Sequence, residues 1–308
     1  MRRLVSTKEI DRFQWLLVRK QGLGGSDAAA VCGLSPFKST ISVYQDKTTD
    51  VVEEYDNEAM RQGRDLEEYV ARRFCEATGK KVRRANFLYY DEKNPFMLAD
   101  FDRLVVGENA GLECKTSSLF MQEHWADGKI PIYYQLQCYH YMAISGSDSW
   151  YLAVLFLGGQ FKYFKLERDE EIIRNLVQIE RDFWNNHVLA RKLPSPDGSK
   201  CADSVIAENF KAVPEKKIML DGFDEKLRRR QELSEIMERM EKEKKTIEQE
   251  LKIYMGEAEM ALSDSFRVSW KEVSAKRLDE KKLKEEQPEI YDQYVKNTVS
   301  RRLLIKAA

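Results

Sequence analysis

Residues 97–118, MLADFDRLVVGENAGLECKTSS, constrain this chain more than any other stretch. Two strand-like runs flank the turn-forming GENA, which is the pattern of a β-hairpin. Side chains two apart on a strand share a face, so Glu113 and Lys115 project together and Cys114 projects the other way. A turn near 107–110 then brings Asp102 roughly opposite residues 113–115. Two carboxylates side by side repel unless a cation joins them, and hard oxygen ligands suit Mg²⁺ or Mn²⁺. The backbone carbonyl of Cys114 is a further candidate ligand, and Lys115 can lower the pKa of a metal-bound water or steady the hydroxide. The same residues also suit a surface hairpin carrying an ordinary Glu–Lys pair.

Three further features extend the constellation. Glu67 sits in GRDLEEYV beside the apolar Leu66 and Val70, as a third inward carboxylate or as solvated helix surface. Gln135 and Tyr139 lie one helical turn apart and share a face. Gln135 can orient a water or a phosphate there, or be an ordinary polar glutamine. LGGSD follows Arg19, and its glycines allow backbone N–H groups close to an anion, with a helix start after Ser26 favouring negative charge. Arg19 can grip phosphate bidentately. The GK[ST] ending of a P-loop is missing, and a plain turn with an N-cap fits as well.

Around this centre the pattern predicts a helix over 1–20, a short helix AAAVCG, an amphipathic ISVYQDKT and a clear helix ending at Gly79. KKVRRANFLYYDE reads as strand, 131–146 as a helix, SWYLAVLFLGG as a buried strand with QFKYFKLERD as its antiparallel partner, and 170–192 as a long amphipathic helix. Residues 194–205 form the best linker. Beyond it Leu233, Met237, Met240, Ile247, Leu251 and Tyr254 follow coiled-coil-like steps, and the end reads as a strand–helix–strand module.

Of the 308 residues, 43% are hydrophobic, enough for a real core. No apolar run reaches the roughly 20 residues of a membrane helix, and the start lacks a signal-peptide core, so a cytoplasmic protein is expected. Cys32, Cys75, Cys114, Cys138 and Cys201 form no close pair and no zinc or iron–sulfur spacing. Three histidines are too scattered for a metal site, and His140 is expected to be packed. The net charge of −1 means that any nucleic-acid contact must rely on local positive charge.

Asp102, then Glu113-Cys114-Lys115, then Gln135 and Tyr139, preceded by Glu67 on a helix, resembles the PD-(D/E)XK nuclease superfamily. GLGGSDAAAVCGLSPF resembles more narrowly the start of YqaJ-type viral recombinases, relatives of lambda exonuclease. The resemblance covers about residues 12–165. It implies an α/β (α+β), restriction-endonuclease-like core with a central mixed β-sheet flanked by helices, assigned here to 1–200; the coiled-coil-like, mostly helical and small α/β extension over 201–308 has no counterpart in lambda exonuclease and resembles the C-terminal extensions of larger YqaJ-type proteins. The resemblance further implies Mg²⁺-dependent, ATP-independent 5′–3′ digestion of linear double-stranded DNA, with Mn²⁺ as substitute and two ions per site in the family's manner. By the resemblance Asp102 and Glu113 bind metal, Lys115 assists the water, Glu67 helps with the second ion, and Gln135 lies near the site with Tyr139 in support. Arg19 and Ser26 match positions that hold a terminal 5′-phosphate. Ring-shaped trimers and a single-strand annealing partner are implied as well. ADFDRL departs from the family's Asp–Gly, which makes Asp100 a rival for Asp102. Other readings are an endonuclease, a Cas4-like nuclease (disfavoured by the absent iron–sulfur cysteines) or a non-catalytic recombination scaffold.

Overall fold

The first twenty residues do not form one helix. In the computed structural model, which describes residues 1–52, 56–296 and 300–306, Arg2–Ser6 is a strand, β1, and helix α1 spans Arg12–Lys20. Asp11 starts α1: its carboxylate accepts from Gln14 N at 2.8 Å, and Gln14 Oε1 accepts from Asp11 N at 3.0 Å. This reciprocal cap satisfies amides that the helix start would otherwise orphan. The two-residue strand β2 (Leu23–Gly24) runs straight into α2 (Gly25–Val31), and α3 (Thr40–Thr48) follows with Ser39 as its cap. Helix α4 (Glu58–Thr78) stops at Gly79, whose φ of 70° suits a residue without a Cβ.

Two predicted strands are each divided. KKVRRANFLYY gives β3 (Val82–Arg84) and β4 (Phe87–Tyr90), separated at Asn86 with φ 58°. The first hairpin strand gives β5 (Met97–Asp100) and β6 (Arg103–Val105), which join different sheets. Asp102 therefore lies at the junction between sheets. Then come β7 (Ala110–Ser118), α5 (Ile132–Ser145), β8 (Ser149–Leu157), β9 (Phe161–Glu167) and α6 (Glu170–Phe183), which a π-helical turn at Trp184–Leu189 prolongs. Helix α7 (Lys200–Asn209) occupies part of the stretch that reads as linker.

One sheet has the order β3–β6–β7–β8–β9 and is antiparallel except for the β7–β8 pair. The other has the order β1–β4–β5–β2 and is antiparallel except for β5–β2. Parallel neighbours need a crossover, and α5 lies within the one between β7 and β8. Both are mixed sheets, and helices cover the five-stranded one on both faces. Ala110 and Leu112 of β7 pack with Val70, Ala71 and Phe74 of α4. Leu152, Val154 and Phe156 of β8 pack with Leu136, Cys138 and Met142 of α5 on the opposite face. Since alternate residues of β7 face opposite ways, Glu113 and Lys115 are directed away from α4, toward α5.

The chain divides into two units, Met1–Lys211 and Ala212–Ala308. In the second, α8 (Asp224–Met255) is one long helix, with the heptad residues Leu233, Met237, Met240, Ile247, Leu251 and Tyr254 exposed along it. A hairpin of β10 (Met260–Leu262) and β11 (Arg267–Ser269) follows, then α9 (Glu280–Glu286) and α10 (Pro288–Tyr294). The closing strand of the expected strand–helix–strand module does not form in residues 300–306, and 297–299 lie outside the described residues. Among the described residues no helix is long and apolar enough to cross a membrane.

Candidate active site

Strand parity brings the central residues together. Lys115 Nζ donates to Glu113 Oε1 at 2.6 Å, and Gln137 Nε2 from α5 donates to the same oxygen at 2.6 Å. The amide nitrogen of Cys114, between them, donates to Asp102 Oδ2 at 2.7 Å. Asp102 thus meets the middle of β7 from the sheet junction. Glu113 is only 3% exposed, and its Oε2 is buried with no hydrogen-bond partner.

The electrostatics are unbalanced. Burial, then the charges of Glu113 and Glu67, push the Asp102 carboxyl well above its ordinary range. Burial also raises Glu113, although Lys115 opposes it. Burial would lower the Lys115 ammonium, but Glu113 and Asp102 outweigh that and raise it. One lysine therefore serves two desolvated carboxylates, and negative charge is left over. A divalent cation would remove that excess, and the orphaned Glu113 Oε2 is a ready oxygen donor. Among the described residues no three His, Cys, Asp or Glu side chains form a complete cage. Mg²⁺ does not need one, because it is bound by one or two carboxylates with waters and substrate phosphate completing its shell. Asp102 and Glu113 fit that role.

The rival Asp100 is differently engaged. Its Oδ2 accepts from Trp15 Nε1 at 2.8 Å, and burial raises its pKa. Glu67 lines, with Asp100, Asp102 and Gln137, a cleft of about 440 Å³, but its carboxylate is already bonded to the buried guanidinium of Arg103. Arg103 Nη2 also holds Glu68 at 2.9 Å.

Gln135 and Tyr139 need correction. Gln135 Nε2 donates to the Ile130 carbonyl at 2.7 Å, and both residues line a separate concavity with His124 and Arg168. Residues two apart on a helix are about 200° apart around its axis, so the face toward Glu113 carries Gln137 and Tyr141 instead. Gln137 Nε2 also donates to Tyr141 Oη at 3.0 Å. The sequence signal was available: QLQCYHY contains two interleaved Gln-x-x-x-Tyr pairs, and the second faces the carboxylates.

The glycine loop borders the same cleft. Arg19 Nη2 donates to Ser26 Oγ at 2.9 Å, and the Arg19 guanidinium stacks 4.6 Å from the Trp15 ring centre. The N–H of Gly24 is taken by Asp27 Oδ2 at 3.1 Å, and α2 has only seven residues. Any anion here would therefore rely on the Arg19 and Ser26 side chains. A Cβ on Gly25 would stand 2.6 Å from the Tyr141 ring and 3.0 Å from Gln137 Cγ. The loop thus packs directly on the helix face that touches Glu113, joining the two halves of the cleft. His140 is not part of it: the ring is fully buried, with Nδ1 at 2.8 Å from Glu180 and Nε2 at 2.9 Å from the Leu98 carbonyl.

Comparison with known proteins places the fold and the family. Among solved structures, the alkaline exonuclease LHK-Exo from Laribacter hongkongensis superposes with a TM-score of 0.50 at 22% identity, over 58% of this chain and 93% of its own. The same enzyme in complex with dAMP gives the same values, a TM-score of 0.50 at 22% identity. These likenesses establish a shared fold. Residues 14–148, which carry Arg19, Ser26, Glu67, Asp102, Glu113, Lys115 and Gln137, match the YqaJ-like viral recombinase domain. The YqaJ protein of Bacillus subtilis (strain 168) is 36% identical over 312 residues, spanning 98% of this chain and 97% of the relative. The chain belongs to the YqaJ-like viral recombinase family.

Proposed function

We propose that the chain is a Mg²⁺-dependent, ATP-independent deoxyribonuclease that degrades one strand of linear double-stranded DNA from its 5′ end. It leaves 3′ single-stranded tails for recombination by strand annealing. The observation that carries this reading is the pairing of part-buried Asp102 with buried Glu113 across β7, with Lys115 beside them and Glu113 Oε2 unpartnered. Family membership and the fold shared with an alkaline exonuclease support it.

Bound Mg²⁺ would polarise the scissile phosphate and make water a competent nucleophile at neutral pH, with Mn²⁺ able to replace it. Asp102 and Glu113 would hold it. Gln137, bonded to Glu113 Oε1, fixes the carboxylate's rotamer and leaves Oε2 free to take a cation. Lys115 orients the attacking water and offsets charge growing on the phosphate oxygens. The water oxygen bonds to phosphorus, the P–O3′ bond breaks, the water yields a proton to solvent and the departing 3′-oxygen gains one. The product is a nucleoside 5′-monophosphate, the class to which the dAMP held by LHK-Exo belongs. A second ion would have to share Glu67 with Arg103. Arg19 and Ser26 receive the terminal 5′-phosphate. On this reading the partners are duplex ends and a single-strand annealing protein, and a ring-shaped trimer is the assembly.

Digestion of end-labelled duplexes tests the reading. Linear substrate should release its 5′ label first in Mg²⁺ and release nothing in EDTA, while closed circles should persist. Cleavage of closed circles, activity in EDTA or initial release of a 3′ label would each refute it.

A further inference from the structure

A second charged cluster lies beneath the glycine loop, outside the chemistry described above. Asp27 is 1% exposed. Its Oδ1 lies 2.9 Å from Lys38 Nζ, and its Oδ2 lies 3.1 Å from Lys47 Nζ and accepts from Gly24 N at 3.1 Å. The Lys47 side chain is itself 2% exposed. Its ammonium donates to the main-chain carbonyl of Arg19 at 3.0 Å and pairs with Asp46 at 2.9 Å. A single buried cation thus ties together the end of α1, the start of α2 and the end of α3.

Arg19 lies against the same loop. A Cβ on Gly24 would meet Arg19 Nη2 at 3.2 Å, and that nitrogen bonds Ser26, the residue before Asp27. The Asp27 carboxylate is therefore a built-in competitor for the charge of Arg19. Burial would push its carboxyl up, but Lys38, Lys47 and Arg19 outweigh that and hold it well below the usual carboxylate range. Asp27 is thus ionised at working pH, and its charge must be satisfied by something other than Arg19 if Arg19 is to bind an anion.

Resting on the reading of Arg19 and Ser26 as the seat of the 5′-phosphate, we propose that Lys47, helped by Lys38, screens Asp27 from Arg19. The pair Asp27–Lys47 then sets the enzyme's preference for phosphorylated ends. Both are positioning residues, acting through Arg19. A pair that served only stability would weaken the fold when broken and leave end preference alone. A screening pair has a different signature: losing the cation harms the seat, and losing both charges restores it.

The test uses the full-length protein in EDTA and measures dissociation constants for linear duplexes ending in 5′-phosphate or 5′-hydroxyl, with melting curves to establish folding. Wild type should favour the phosphate end. Lys47→Met should lower that preference by about tenfold, the scale of one charge-assisted contact. Adding Asp27→Asn to Lys47→Met should restore most of it, because asparagine keeps the shape and still accepts from Gly24 N. If Lys47→Met does not fold, Lys38→Met carries the same comparison at a half-exposed position. A preference untouched by loss of the lysine, or lost and not restored by Asp27→Asn, overturns this inference alone. A wild type indifferent to the terminus, or an Arg19→Ala variant that still discriminates, overturns the phosphate seat and this inference together.

Discussion

At the scale of residues, the centre was legible where the period is short. A strand repeats every two residues, so Glu113 and Lys115 had to share a face, and their 2.6 Å hydrogen bond follows. Helix α5 offered no such guide. Leu136 through Met142 are all buried, so no polar stripe marks which side faces the sheet, and two Gln-x-x-x-Tyr pairs compete. Only packing against Gly25 and Glu113 selects Gln137. Gln137→Ala should accordingly lower cleavage about 10–100-fold, the usual cost of losing a hydrogen bond that orients a metal-binding carboxylate. Gln135→Ala should lose only the Ile130 bond, about 1 kcal/mol of stability, with cleavage unchanged in a steady-state assay. Equal losses would return the role to Gln135. The crowded carboxylates give a second expectation. A carboxyl raised by folding costs stability at pH above its ordinary range, so Asp102→Asn should raise the melting temperature of the metal-free protein at pH 8. If Mg²⁺ binds as proposed, it should raise the melting temperature of wild type and leave that of the variant unchanged. A lower melting temperature in EDTA would mean that the Asp102–Cys114 hydrogen bond outweighs the charge crowding.

At the scale of elements, strands were found but their sheets were not. MLADFDRLVV is continuous as a pattern, yet its two halves pair with different partners, β5 with β4 and β2, β6 with β3 and β7. Those partners are distant in sequence, and periodicity carries no information about them. The strand Arg2–Ser6 was missed for the same reason: it exists by pairing with Phe87–Tyr90. The His140–Glu180 pair joins three such elements, α5, α6 and β5. Both ring nitrogens face acceptors, so the imidazolium is the form that satisfies both. Burial would lower the His140 pKa, but the Glu180 carboxylate and the Leu98 carbonyl outweigh it and raise it above 6.5. Because the folded value is raised, the contribution is fully present below the unfolded pKa and fades as pH climbs through the folded one. Glu180→Gln should remove that fading from a melting-temperature profile and destabilise the fold below neutral pH by about 3–5 kcal/mol, the cost of stranding a buried charge. A profile unchanged in shape would show that His140 is neutral throughout.

At the scale of the whole molecule, all residues assigned to the cleft lie in the unit Met1–Lys211, which owns both mixed sheets and their cores. The Pro- and Ser-rich stretch at 194–205, which reads as a linker by composition, lies inside this unit. Composition did not show that α7, beginning at Lys200 inside that stretch, packs back on the core. Ala202 is 2% exposed, Cys201 Sγ reaches the Phe37 carbonyl at 3.1 Å, and Asn209 Nδ2 donates to Gln45 at 3.0 Å across α3. Helix α3 in turn carries Lys47, so α7 supports the element on which the glycine loop leans. A fragment of residues 1–211 should therefore melt cooperatively and keep Mg²⁺-dependent release of nucleotides. Ending the chain at residue 199 instead should remove the α7 contacts, lower the melting temperature, and weaken the preference for 5′-phosphate more than the cleavage rate at saturating substrate. If 1–199 matches 1–211 in both respects, α7 is dispensable to the seat. If 1–211 is itself inactive while folded, the charged second unit contributes to the reaction directly.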